Sequence, residues 1–302
     1  MTAIVPVPEQ VRTNPRSLHG PPRFDVVHRL VANRRVIAGL VIVVPFVALA
    51  LFFPVLPFRP PNASSLGDRL SSPSLSHPFG TDTLGRDQLS RTVAGARISI
   101  MVGVLAAAIS ISLGMLIGTV AGYFGGWVDS IVSAVLNVFL SFPGLLIGLL
   151  LVAVFGPGVW QIVAAVSIAF TPRAARLQRA SVLSMRNRPY MDAARQAAAP
   201  TWWILLRHVV PNTVSPMLVV GSIFTADAIL IEATISFTGL GIVPPTPSWG
   251  SIIKGGQAVL REAWWISLVP AMCLIVFAIG LHLLADGTRQ VIDPSEQLEK
   301  QR

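Results

Sequence analysis

From Ser130 to Pro172 the chain carries no Asp, Glu, Lys or Arg. A helix rising about 1.5 Å per residue needs roughly 20 such residues to cross the hydrocarbon core of a bilayer. It also satisfies its own backbone polar groups, which lipid cannot do. The stretch is too long for one crossing, and Phe155-Gly156-Pro157-Gly158 divides it, since Gly and Pro punctuate helices. Four more apolar runs have membrane length: 36–58, 98–123, 212–239 and 263–285. After the second, Phe124-Gly125-Gly126 forms a turn leading to Asp129. The predicted fold is therefore an all-α polytopic membrane protein with six transmembrane helices. Its parts are an N-terminal segment (1–35), a first helix (36–58), a loop (59–97), a five-helix core (98–285) and a tail (286–302). Composition agrees, with 53% hydrophobic residues, 12% charged residues and a mean hydropathy of +0.67.

Basic residues set the expected orientation, because Lys and Arg accumulate on the cytoplasmic side. Six lie in 1–35, seven between Arg173 and Arg207 and three in the tail, against five and two in the loops on the other side. Both termini and the loop between the fourth and fifth spans are thus expected in the cytoplasm. Arg173, Arg176 and Arg179 recur at one-turn spacing and are expected to snorkel from the end of the fourth span to the interface. The formal charge of +9 sits between apolar runs, not on a stripe with interleaved aromatics, which argues against nucleic acid as a partner. Residues 1–35 are polar and Arg-rich and the first apolar run is a full span, the pattern of a signal anchor. The single Cys273 can build neither a disulfide nor a thiolate metal site within the chain.

The loop around 180–211 is more than a basic tether. Pro189 suits a first helical turn, Asp192 lies near that helix's positive end, and Ala193, Ala194, Ala197, Ala198 and Ala199 follow before Pro200. Thr201 is placed to cap a second short helix, Trp202 to Val210, ended by Pro211. Small side chains let another surface approach the backbone closely, so this pair is read as a docking element for a partner.

The run Tyr190-Met191-Asp192-Ala193-Ala194-Arg195 through Arg207-His208-Val209-Val210-Pro211-Asn212 resembles the EAA signature of ABC importer permeases. The resemblance implies a type I importer fold whose coupling helices (189–210) enter a cleft of an ATPase subunit, with Tyr190, Asp192, Ala193, Ala194, Ala198, Arg207 and Pro211 as coupling residues. Asp192 stands where the family usually has Glu, and Ala198 where it has Gly. Ala tolerates positive φ poorly, so the turn is expected to shift toward Pro200. Two further stretches are similar to the DppC/OppC type of dipeptide and oligopeptide permease. One is His77-Pro78-Phe79-Gly80-Thr81-Asp82 with Gly85-Arg86-Asp87; the other runs from Glu232-Ala233 through Gly239-Leu240-Gly241 to Pro244-Pro245-Thr246-Pro247-Ser248-Trp249-Gly250. With Ala285-Asp286-Gly287 and Asp293-Pro294, the likeness covers roughly residues 24–296. It implies a non-catalytic subunit in the bacterial cytoplasmic membrane, forming half of a pathway for peptides delivered by an extracytoplasmic solute-binding protein. A second permease chain and ATP-binding cassette subunits are the implied partners, beside membrane lipid.

No Gly-x-x-x-x-Gly-Lys-Ser/Thr motif is present, and the only lysines are Lys254 and Lys300. ATP and Mg are accordingly expected on the partner ATPase subunits, with no cofactor in this chain. Asp227 and Glu232 are the only carboxylates within a span; ionisable groups there usually face a cavity or partner. Counted from Pro211 they lie about 24 and 32 Å along the helix and about 140° apart around it, so they do not form one pair. Asp227 is expected to line the translocation path. Glu232, near the outer boundary, either hydrogen-bonds to the Gly/Pro loop or meets a peptide amino terminus. His77, Asp82 and Asp87 match no zinc or calcium spacing and suit a folded loop. An importer of nickel, haem or another small solute and a stand-alone secondary transporter are the alternatives, the latter having no need of a docking loop. An intramembrane enzyme is disfavoured, because no span pairs a Ser with a His or Lys base or two aspartates.

Overall fold

A computed structural model describes residues 23–292 of the chain. The first part of the N-terminal segment and the end of the tail, with Asp293-Pro294, lie outside the described residues. Those described are helical apart from turns, loops and one isolated bridge, Thr81 with Asp87. The helices are α1 (Arg23–Ala32), α2 (Arg34–Phe52), α3 (Gln88–Phe124), α4 (Gly126–Leu140), α5 (Gly144–Phe155), α6 (Val159–Arg186), α7 (Pro189–Gln196), α8 (Thr201–Ile204), α9 (Val210–Thr238), α10 (Trp249–Gly256) and α11 (Trp265–Ile292).

Helices occupy all six expected spans, with one difference in form. Four of them, counting short extensions of α2 and α9, are long and apolar enough to cross a bilayer. α6 is long enough, but its second half carries the arginines. The third expected span is broken into α4 and α5, which meet at 85°. Pro143 explains the break: it has no N–H to continue α4, and its own ψ of 129° turns the chain out of helical geometry before α5. The expected division at Gly156-Pro157-Gly158 is present, with Gly156 and Gly158 at positive φ. α3 starts ten residues before the apolar run at Ile98, because Asp87 caps it by accepting from the Ser90 backbone N–H at 2.9 Å.

Close backbone approach organises the bundle. Gly114, Gly118 and Gly122 lie four apart on α3 and face α6. A Cβ at Gly118 would stand 2.4 Å from the Ala175 carbonyl oxygen, and one at Gly122 2.9 Å from Val182 Cβ. This small-residue stripe lets the two longest-contacting helices pack backbone to backbone. α2 meets α11 in the same way through Gly39 and Gly280. One core lies among α3, α5, α6 and α9, where Phe170 stacks on Phe224 at 5.1 Å. Another joins α2, α3, α9, α10 and α11 around the fully buried Trp249.

The 59–87 loop and α10 close one end of the bundle. Asp82 accepts from the Leu84 and Arg86 backbones and from Arg86 Nε at 2.6 Å, with Arg91 Nε 3.5 Å away. Trp265 Nε1 donates to the Thr81 carbonyl at 3.1 Å. Burial pushes the Asp87 carboxyl pKa upward, yet hydrogen bonds from the Ser90 backbone, His77 and the Ser90 hydroxyl outweigh it and hold the group below its usual value. The three polar residues of this segment thus organise a folded loop.

Candidate docking loop and translocation cavity

At the opposite end, α7 and α8 form a helical hairpin seated on a small apolar base. Met191, 1% exposed, packs with Val182, Met185, Ile204 and Val209, and Ala194 and Ala199 rest against the same cluster. Tyr190, Asp192, Ala193, Ala197, Ala198, Trp202 and Arg207 are exposed. The alanines therefore divide into an inward pair and an outward face. Asp192 pairs with Arg195 at 3.2 Å, and the Tyr190 ring lies 6.0 Å from His208.

The expected shift of the turn toward Pro200 does not occur. Ala198 itself adopts φ +53°. Its N–H donates to the Arg195 carbonyl at 3.0 Å and that of Ala199 to the Ala194 carbonyl at 3.2 Å. This is the paired closure of a Schellman cap, with Ala in the place glycine prefers. The two bonds and the Ala194–Ala199 contact with the base outweigh the steric cost of a Cβ in the left-handed region. Thr201 is likewise not a cap: Pro200 holds that position in extended geometry, and its carbonyl accepts from Trp203 and Ile204. Nor does Pro211 end the second helix. Leu205–Val209 form a π-helical turn that runs directly into α9, with Pro211 exposed in the first turn of α9. A proline lacks the N–H for a regular turn, and the wider π turn carries the chain past it.

A cavity of about 610 Å³ lies where the α4–α5 break faces α6 and α9. Asp227 lines it, with Arg173 opposite at 3.6 Å. The neighbouring arginines also have partners, both on α4: Arg176 donates to Asn137 at 2.6 Å, and Arg179 holds Asp129 through both carboxylate oxygens. Glu232 lies elsewhere. It is fully buried and accepts from Ser99 and Ser236, each at 2.8 Å, tying α9 to α3. Ser99 Oγ also accepts from the Trp249 backbone N–H, and Ser236 Oγ from that of Ile242, so the carboxylate anchors the Gly/Pro loop that leads to α10. The structure thus separates the two carboxylates. The pairing of Arg173 with Asp227, the Ser141–Pro143 break and the α3 glycine stripe escaped the reading of the sequence, although Pro143 and the Gly114/Gly118/Gly122 spacing are both visible in it.

Residues 114–295 match the family described as binding-protein-dependent transport system inner membrane component. The chain belongs to this family. Among curated relatives, a putative peptide transport system permease protein of Brucella abortus is 38% identical over 271 residues, 90% of this chain and 91% of the relative. The dipeptide transport system permease protein DppC of Alkalihalophilus pseudofirmus is 33% identical, covering 90% of each chain. The glutathione transport system permease protein GsiD of Shigella flexneri is 36% identical over 95% of this chain and 92% of its own length. Family membership gives the broken helix, the hairpin and the cavity a common setting in a multi-pass transport component of the membrane.

Proposed function

We propose that this chain is one of two permease subunits of an ATP-driven ABC importer for di- and oligopeptides. A solute-binding protein delivers the cargo on the outer side of the bacterial cytoplasmic membrane. Both termini and the α7–α8 hairpin face the cytoplasm, where the hairpin seats in a cleft of an ATPase subunit that holds ATP and Mg. The names of the peptide, dipeptide and glutathione permeases among its relatives support peptide-like cargo.

The observation that carries this reading is the hairpin's construction. A small apolar base under Met191 fixes it to α6 and α9, while Ala193, Ala197 and Ala198 present a face with almost no side-chain bulk. The test is to co-express the chain with its second permease and ATPase subunits and to introduce Ala193→Trp with Ala197→Trp. These positions are exposed, so the hairpin itself tolerates the change, whereas the half-buried Ala194 would confound it. Association with the ATPase should be lost, or ATP hydrolysis in vesicles should no longer depend on peptide delivery. Unchanged co-purification and unchanged coupling would refute the docking role.

A further inference from the structure

Carboxylates inside this bundle differ sharply in how they are satisfied. Asp129 on α4 is held by Arg179 at both oxygens and also accepts from Ser133. Glu232, further along α9, accepts two hydroxyl hydrogen bonds. Asp227 has only the 3.6 Å contact with Arg173, longer than the roughly 2.7–2.9 Å of a charge-assisted hydrogen bond. Arg173 carries five N–H donors and has no closer partner among the described residues. Both side chains reach solvent-accessible space, at 59% exposure for Arg173 and 31% for Asp227, and both line the same cavity.

We propose that Asp227 and Arg173 together recognise the two charged ends of a zwitterionic cargo, Asp227 taking an ammonium group and Arg173 a carboxylate. This rests on the reading of the chain as a peptide permease subunit. The cavity walls are otherwise mostly apolar, with Phe139, Phe142, Phe170, Leu230 and Ile231 around the pair. A pocket of this size and make-up, apolar with few polar groups, suits a small molecule oriented by those groups. The pair has no net charge when empty. A zwitterion exchanges one loose contact for two charge-assisted ones and strands nothing. Cargo with a single charged end would engage one partner and gain only one of the two charge-assisted contacts. The site therefore selects for the presence of both termini and ignores the side chains between them, as suits a carrier of many short peptides. Because the two residues sit on different helices, α6 and α9, the distance between the charges follows the relative position of those helices.

The test is equilibrium binding of labelled dialanine, N-acetyl-dialanine and dialanine amide to the purified permease–ATPase complex without its solute-binding protein, so that the latter's selectivity does not enter. Dialanine should bind at least about tenfold more tightly than either blocked form, the loss of one charge-assisted contact. Asp227→Asn should bring dialanine down to the level of its N-acetyl form while leaving that form unchanged. Arg173→Gln should do the same for dialanine and its amide. If the wild-type complex does not discriminate, or if each variant weakens all three forms equally, the pair only braces α6 against α9 and the inference is wrong. Dialanine uptake into vesicles holding the complete wild-type system separates this from the broader reading. Uptake without discrimination overturns the zwitterion site alone, whereas absence of uptake of any short peptide overturns the peptide reading as well.

Discussion

Replacing Ala198 with glycine should stabilise the α7–α8 hairpin by about 1 kcal/mol. Ala198 sits at φ +53°, where the Cβ of an L-residue crowds the backbone at a cost of about 1–2 kcal/mol. Glycine escapes that cost, but it also frees the unfolded chain, which takes back about 0.4–1 kcal/mol. The difference is favourable because the site already supplies the rest of the cap: the Ala198 and Ala199 N–H groups donate to Arg195 and Ala194. Amide hydrogen exchange at 198 and 199 in the detergent-solubilised protein reads this directly, since opening the cap exposes both groups. A gain of 1 kcal/mol corresponds to roughly fivefold slower exchange. Ala198→Val should act in the opposite sense, because β-branching aggravates the left-handed conformation. Equal or faster exchange in the glycine variant would refute the reasoning, for it would mean that the cap opens without passing through the strained residue.

Enlarging Gly118 to Ala should lower thermal stability in detergent by about 1–3 kcal/mol, since its Cβ would meet the Ala175 carbonyl at 2.4 Å; Gly255→Ala, with open space around it in α10, should be neutral or stabilising. Glu232→Leu should cost about 1–3 kcal/mol by leaving two buried hydroxyls without their acceptor, and Glu232→Gln should recover part of it, as measured by the unfolding midpoint. The folded-state pKa of Asp87 lies below its unfolded value, so its contribution is complete above the ordinary carboxylate range and is lost as pH falls through the folded value. Stability of the 59–87 loop to proteolysis should therefore fall on acidification, and Asp87→Asn, which keeps a capping side chain, should flatten that dependence.

The apolar runs made the helices legible, because hydrophobic length is written in consecutive residues. The α7–α8 hairpin was legible for a related reason: Pro189, Asp192 and Pro200 are local signals, and α7 follows them from Pro189 to Gln196. Legibility failed where a neighbour decides. Pro211 reads as a stop in isolation, but a π turn before it carries the chain onward. Ala198 reads as a poor left-handed residue, yet contacts with Val182 and Met191 through its neighbours hold it there. Arg173, Arg176 and Arg179 read as one class by their spacing, while each meets a partner contributed by α9 or α4, which no local pattern reveals. The candidate site shows the same limit. Asp227 was visible as a charge in an apolar run, but its partner was assigned to the interface, and the α4–α5 break that completes the cavity depends on Pro143 acting inside an otherwise uninterrupted apolar stretch.

Those arginines also bear on how the hairpin and the cavity are connected. α6 runs without interruption from Val159 to Arg186, and Asn187 and Arg188 lead straight into α7. Arg173 and Arg186 are therefore about 20 Å apart on one rod, at 1.5 Å per residue. Between them Arg176 and Arg179 grip α4, and the buried Gln178 Nε2 donates to Thr119 on α3 at 2.8 Å and to Thr213 on α9 at 3.0 Å. The glycine stripe presses α3 onto the same stretch of α6. α6 is thus clamped to three helices along its lower half, and around Arg173 it packs on α3 at Gly114 and on α9 through Phe170, with the Arg173–Asp227 pair as the loose polar contact there. A force applied to α7 cannot be absorbed by sliding between α3 and α6, since close-packed backbones do not deform continuously. Along that rod the loosest polar contact is Arg173–Asp227 at 3.6 Å, so one continuous helix joins the hairpin to the charged pair in the cavity.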